Sequence, residues 1–323
     1  MVVQLLTVGG VVGAVAYDGR SCIGVARVDA DVAILCVLAF SSYPCSDSNS
    51  PLANIDEQMS LPPVLYHFFR APLPYSRTLA LQEQIHALQL AQRKASQSHQ
   101  DILLLLEHRP VYTTGRRQLA TSPEVQDEEA RLTRIGADFV TTQRGGQITY
   151  HGPGQIVGYP LLDLSRYTPP MGIRDYICRM QKTLSSHLLD AHGMKSVPSD
   201  NTGVFLDPHT KIASIGVQVR HRLTTHGFAM NITAEPLSWF GRVIACGLVD
   251  VHAGCIADHS KTLKGSEVTV SGEIEGLVEK FGRAYEREMV KMVPGDQGEI
   301  GELITTIEEH AQTRERWQSE PLG

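Results

Sequence analysis

Residues 144–155 read RGGQITYHGPGQ, which gathers an arginine, a histidine and four glycines in one short polar window. Glycine loses more conformational freedom on folding than other residues. A cluster of it is therefore expected where something must approach the main chain, such as a phosphate, an acyl chain or another stretch of the protein. The window matches neither GxGxxG after a strand nor GxxxxGK followed by Ser or Thr, so the dinucleotide fingerprint and the P-loop are both disfavoured. Close packing of two sheets and binding of a ligand stand as equal readings of it.

Cys246, in RVIACGL, is the second candidate. Gly247 lets the chain turn sharply there and expose a thiol with its neighbouring N–H groups, as a nucleophile requires. A free thiol with a pKa of about 8.5 is mostly protonated at neutral pH, so a cation or base within reach is also needed. Arg242 and His252 are nearest in sequence, although a sheet can supply a neighbour from far away. The competing reading is a quiet core cysteine, which is common between apolar residues. Cys246, His252, Cys255 and His259 also spell C-x5-H-x2-C-x3-H, four zinc-ligand types in one loop. The tight cysteine pair that opens structural zinc patterns is missing, which ranks a metal site below the nucleophile, and no metal is expected.

The elements that must hold these residues come from a chain of 323 residues, 42% hydrophobic and 20% charged, enough to bury one or two ordinary cores. A net charge of -6 argues against nucleic acid as the main partner. The six cysteines lack the spacing of a secreted disulfide framework, which favours a reducing compartment and mostly free thiols. Two apolar runs, MVVQLLTVGGVVGAVAY and VAILCVLAFSSYPC, fall short of the roughly 20 residues of a membrane span, so no membrane association is expected. Residues 1–58 read as an N-terminal extension, non-globular or targeting in character, ending near the linker-like SSYPCSDSNSP. MSLPPVLYHFFRAPLPYSR, from Met59, has two arginines and no acidic residue, and looks more like a targeting segment than the N-terminus does.

From Pro74 the pattern becomes regular. YSRTLALQEQIHALQLAQRKA sets Leu79, Leu81, Ile85, Leu88 and Leu90 near helical spacing, and DILLLLEH reads as a buried strand. Residues 122–135 open with Ser, Pro and acidic residues, a helix start. RDYICRMQKTLSSHLLDAHG is a long helix closing on Gly193. GVFLD, KIASIGVQVRH and LTTHGFAMNIT alternate as half-buried antiparallel strands do. EVTVSGEIEGLVEKFGRAYEREMVKMV reads as a strand or turn followed by a helix, and GELITTIEEHAQTRERWQ as a final helix or solvated tail. The expectation is one α+β domain over residues 59–295, a single mixed, largely antiparallel sheet with flanking helices, followed by a helical tail over 296–323.

Taken in series, RGGQITYHGPGQIVGYPLLDL, TKIASIGVQVRHRLTTHGFAMNI and ACGL closely resemble the lipoyl(octanoyl) transferases of protein lipoylation, over about Tyr75 to Lys291. The resemblance implies the biotin/lipoate protein ligase fold, with a sheet wrapped round an acyl tunnel. It also implies a two-step reaction without ATP or other cofactor: octanoyl passes from acyl carrier protein to an enzyme cysteine, then to a lysine of a lipoyl domain. On that resemblance Cys246 is the nucleophile, and Lys211 lowers its pKa and then serves as base. The substrate pocket is formed by Arg144, Gly145, Gly146, Gln147, Ile148, Thr149, Tyr150 and His151, by Ser214, Ile215 and Gly216, and by Gly227, Phe228 and Ala229. Acceptors would be the lipoyl domains of 2-oxoacid dehydrogenases and the glycine cleavage H protein. The enzyme would act as a monomer, mitochondrial in a eukaryote or cytoplasmic in a bacterium. Ala245 stands where the family usually has Pro, and Phe205 where it usually has Trp; neither change removes a reacting group. The alternatives are an ATP-dependent lipoate or biotin ligase of the same fold and a non-catalytic acyl-binding member.

Overall fold

The computed structural model describes residues 2–8, 11–17, 22–25, 61–118, 120–243, 247–248, 250–262, 268–311 and 317–322. The chain divides into two units, Met1–Ser42 and Tyr43–Gly323. In the first, β1 (Val2–Val8), β2 (Val11–Tyr17) and β3 (Cys22–Val25) form an antiparallel meander, with Val2 opposite Tyr17 and Val8 opposite Val11.

The second unit is built on a mixed sheet. Its central strand, β5 (Asp101–Leu106), is buried along its whole length and runs between β4 (Val64–Phe68), which is parallel, and β9 (Gln155–Leu161), which is antiparallel. The continuous apolar run has a simple cause: Leu103 and Leu105 face one core while Ile102, Leu104 and Leu106 face another, so both faces of the strand are covered. Beyond β9 the sheet continues through β12 (Leu223–Asn231), β11 (Thr210–Arg220) and β10 (Val204–Asp207), all antiparallel; β14 (Met289–Lys291) closes the other edge parallel to β4. The two-residue β13 (His252–Ala253) adds to β11 in parallel and is followed by the four-residue α5 (Ile256–His259). The stretch after Met59 that resembled a leader thus contains an interior strand of the fold, with Val64 fully buried.

Helices cover both faces. The first core lies under α3 (Ile173–His192) and α6 (Val270–Tyr285), the second under α1 (Tyr75–Lys94) and α7 (Gly298–Ala311). Gly193 ends α3 at a φ of 63°, the left-handed C-cap its position predicts. The predicted strand or turn before α6 is replaced by a cap, with Thr269 accepting from the Gly272 N–H, and a strand comes after the helix instead.

The buried face of α1 differs from its leucine spacing. Leu79, Leu88 and Leu90 are only half-buried, whereas Gln82, His86 and Gln89 are buried. The β12/β9 ladder stops at Phe228, leaving upstream backbone groups to other partners: the Thr224 N–H donates to Leu162 O, and α1 serves His226. Gln82 Oε1 accepts from the His226 N–H at 2.7 Å, and Gln89 donates to the carbonyls of Gln100 and Leu161 at 2.8 and 2.9 Å.

A second, three-stranded sheet stands in the same unit: β6 (Val111–Thr114) pairs parallel with β7 (Asp138–Thr141) and antiparallel with β8 (Thr149–His151). Between β6 and β7 runs α2 (Pro123–Arg134), capped by Ser122. The six-residue α4 (Glu235–Phe240) packs on β8 through Trp239, whose ring stacks on Tyr150 at 5.3 Å. The C-terminal residues return to this sheet, Ser319 O accepting from the Trp239 indole and Trp317 lying under the Arg109 guanidinium.

Candidate functional site

The glycine window joins the two sheets. Arg144 is buried and spans them: Nη2 donates to the Thr113 carbonyl at 2.6 Å and to the Thr113 hydroxyl at 2.8 Å, and the Gly145 N–H donates to Val217 O on β11 at 3.0 Å. Gly216 and Gly227 are register partners on β11 and β12. At Gly216 a β-carbon would sit 2.9 Å from Gly145 O, so only glycine lets the window pass this close to the strand.

This close approach leaves a narrow slot of about 40 Å³. Of the residues expected to bind substrate, it is lined by Arg144, Gly145, Gly146, Thr149, His151, Ser214, Ile215, Gly216, Gly227, Phe228 and Ala229. Tyr75, Val157, Tyr159 and His226 complete it. Gln147, Ile148 and Tyr150 do not line it. Strand alternation turns the Tyr150 side chain away from its neighbours Thr149 and His151, into an aromatic cluster with Tyr112 and Trp239. Gln147 and Ile148 line a different cleft, under α2.

The slot wall is mainly apolar, and among the described residues Arg144 is its one side chain of the Lys, Arg, Asp or Glu types. His108 donates or accepts through Nε2 with Tyr159 OH at 2.6 Å, and His151 Nδ1 meets Gln155 Oε1 at 2.8 Å. Burial takes the His108 pKa down to about 4; burial, assisted by the positive charges of Arg144 and Arg220, takes that of His226 to about 3. His151 is also held well below the usual range by burial, then by His108 and Arg144. All three imidazoles are therefore neutral at pH 7, and the slot suits an uncharged chain carrying a carbonyl.

Lys211 lies 9% exposed on β11, its ammonium 5.5 Å from the centre of the Phe205 ring. Gly203 makes room for it, since a β-carbon there would come within 2.5 Å of Lys211 Cε. Lys211 borders a cleft of about 230 Å³ together with Gln155, Asn231, Phe240, Val243 and His252. Ser214 and Ala229 line both this cleft and the slot, so the two spaces meet.

Cys246 lies outside the described residues. The residue after it, Gly247, has a φ of +69° and packs against the Gln147 side chain of the window. Within the zinc-like set, His252 Nε2 bonds Thr210 Oγ1 at 2.9 Å, and His259 Nδ1 bonds the Cys255 carbonyl at 3.0 Å. Cys255 is fully buried, which pushes its thiol up to about 12. Cys178 is engaged in a disulfide, unlike the free thiol expected. Among the described residues the one convergence of metal-ligating side chains is His187, His192 and Glu273, between α3 and α6, where both Nε2 atoms hydrogen-bond Glu273 Oε2 at 2.6 and 2.8 Å.

Sequence reasoning missed Tyr75, Val157 and Tyr159. Tyr75 opens a helix and the others sit in an apolar strand, so no spacing marks them.

Comparison with known proteins gives a consistent picture. Residues 74–282 match the model of the lipoyl protein ligase A/B catalytic domain. The mitochondrial octanoyl-[acyl-carrier-protein]:protein N-octanoyltransferase of Danio rerio is 39% identical over 209 residues, covering 65% of this chain and 88% of that one. An octanoyltransferase of Thermobifida fusca is 36% identical over 200 residues, covering 59% and 78%. Among solved structures, a lipoate-protein ligase A bound with ATP superposes with a TM-score of 0.55 at 16% identity, covering 80% of this chain and 98% of that one. A lipoate protein ligase of T. acidophilum with bound lipoic acid gives 0.54, also at 16% identity, covering 77% and 93%; both likenesses concern the fold.

Proposed function

Because the chain belongs to the lipoyl protein ligase A/B catalytic-domain family, we propose that it carries octanoyl from acyl carrier protein to Cys246 and from there to a lysine of a lipoyl domain. It is an acyltransferase of the octanoyltransferase kind. The observation that carries the reading is the junction at Ser214 and Ala229, where the Lys211 cleft meets a narrow slot bordered by the glycine window.

In the first step the Cys246 thiolate attacks the thioester carbon of the donor, the bond from that carbon to the carrier's sulfur breaks, and the carrier leaves as thiolate. In the second, the lysine amine attacks the new thioester, the bond to Cys246 sulfur breaks, and a proton from nitrogen ends on that sulfur through Lys211. Lys211 as a nearby cation favours the thiolate in the first step. Thioester exchange is close to balanced and amide formation runs downhill, so neither step requires ATP. The acyl chain would lie in the slot, each buried CH₂ contributing about 0.8 kcal/mol. Backbone N–H groups of the window other than that of Gly145, which donates to Val217 O, are the donors proposed for the tetrahedral oxyanion.

Residues 59–295 would carry this activity, as a monomer, with residues 1–58 and 296–323 as additions to it. The donor would be octanoyl-acyl carrier protein, and the acceptors the lipoyl domains of 2-oxoacid dehydrogenases and the glycine cleavage H protein. The compartment would be the mitochondrion, as the name of the zebrafish relative states for that protein, or the cytoplasm in a bacterium. Incubating the chain with octanoyl-acyl carrier protein and a lipoyl domain, without ATP, should give an octanoylated lysine. Product that forms only with free octanoate and ATP would contradict the reading and favour a ligase.

A further inference from the structure

The glycine window separates two spaces. On one side is the slot; on the other Gln147, Ile148 and Gly247 border a cleft of about 350 Å³ that the reaction described so far does not use. Strand β6 shows the same division: Thr113 bonds Arg144, and Thr114, the next residue, lines the cleft.

The cleft combines two kinds of wall. Val125, Phe139 and Ile148 are apolar, while Thr114, Gln118, Gln147, Glu124 and Glu128 bring oxygen acceptors, and no cationic side chain is among the described residues lining it. Two of those acceptors are incomplete. Thr114 is 1% exposed and its Oγ1 has no hydrogen-bond partner; Gln118 Oε1 is buried and has none either. A buried polar atom left unpaired costs about 1–3 kcal/mol, so two of them in one cleft point to a ligand that donates. Glu128 is already held by Arg131 at 2.6 and 2.9 Å. Glu124, exposed in the first turn of α2, makes no ion pair among the described residues and is the carboxylate open to a cation. Its hydrogen bonds to its own backbone N–H and to Ser122 keep it ionised.

An aliphatic wall beside several oxygen acceptors and one open carboxylate fits a methylene stem that ends in a primary ammonium with its three N–H donors. We infer that this cleft receives the acceptor's lysine side chain, delivering its nitrogen beside Gly247 from the side of the window opposite the acyl slot. The inference rests on the transferase reading above. The ammonium first gives one proton to water; nitrogen then bonds the thioester carbon, the bond to Cys246 sulfur breaks, and a second nitrogen-borne proton passes to that sulfur.

The test uses full-length enzyme preloaded with octanoyl and discharged either by n-butylamine, an ammonium on a short alkyl stem, or by hydroxylamine, which is small and uncharged at pH 7.5. Gln118→Leu and Glu124→Gln should each slow discharge by n-butylamine roughly fivefold, the scale of one neutral hydrogen bond or one exposed charge. Discharge by hydroxylamine should stay within about twofold, since it needs neither group. Equal slowing with both nucleophiles, or no change with n-butylamine, overturns the inference. A chain that never takes up octanoyl overturns the transferase reading itself, and is seen before any nucleophile is added.

Discussion

Ser214 on β11 and Ala229 on β12 face each other in register, and together they border both the Lys211 cleft and the glycine-lined slot. On the proposed function an acyl chain in the slot meets the Lys211 cleft at this pair. Ala229→Leu should fill the junction, lowering octanoyl transfer at least tenfold. Overpacking there should cost about 1–3 kcal/mol of stability, leaving a folded protein by thermal melt. A variant that is folded and fully active would mean the acyl chain does not pass this point.

On the proposed function Lys211 serves the thiol and not only packing. Lys211→Ala should slow the acylation of Cys246, and its rate should rise again at higher pH, where the thiol ionises without help. Acylation followed from pH 6 to 9 checks this. A uniform loss at every pH would remove the activating role.

Three neutral histidines around the slot give the fold a pH dependence with a defined sign. His108 and His226 have pKa values lowered to about 4 and about 3. Above about pH 6.5, where the unfolded state is also neutral, they cost nothing. As pH falls below that, the unfolded chain binds protons that the folded chain refuses, and stability drops until the folded pKa values are reached. His108→Asn, which keeps a hydrogen-bonding side chain, should therefore melt less steeply with acid between pH 6.5 and 4 than the parent. Parallel curves would contradict neutral burial.

Glu273 acts at lower pH. Burial would raise its pKa, but the hydrogen bonds and charges of His187 and His192 outweigh burial and take it to about 2. A depressed carboxylate contributes stability above its unfolded pKa of about 4.5 and loses it as pH falls toward 2. The melting difference between the parent and Glu273→Gln should shrink as pH falls from 5 toward 2. A difference independent of pH would show the carboxylate to be held by packing alone.

Much of the fold was legible because its signals are local. The buried run at β5 and the Ser122 and Gly193 caps depend on residues close in sequence, whereas β12, expected to be half-buried, is buried along its whole length. Less legible was whatever depends on partners brought from afar. The polar face of α1 follows from a ladder that stops at Phe228, and β4 lies in a stretch whose composition resembles a leader. At the site, the glycines announced a close approach, but not which neighbour would share the space. The window was expected to line one pocket throughout; strand alternation sends Tyr150 to an aromatic core, and Gln147 and Ile148 to the cleft under α2.

A covalent acyl group on one cysteine sets the proposed transferase apart from a ligase, and intact mass after incubation with octanoyl-acyl carrier protein detects it. The parent chain should gain one octanoyl group and Cys246→Ala none. A folded parent chain that gains nothing from a competent donor, or a Cys246→Ala variant that gains as much, would contradict it.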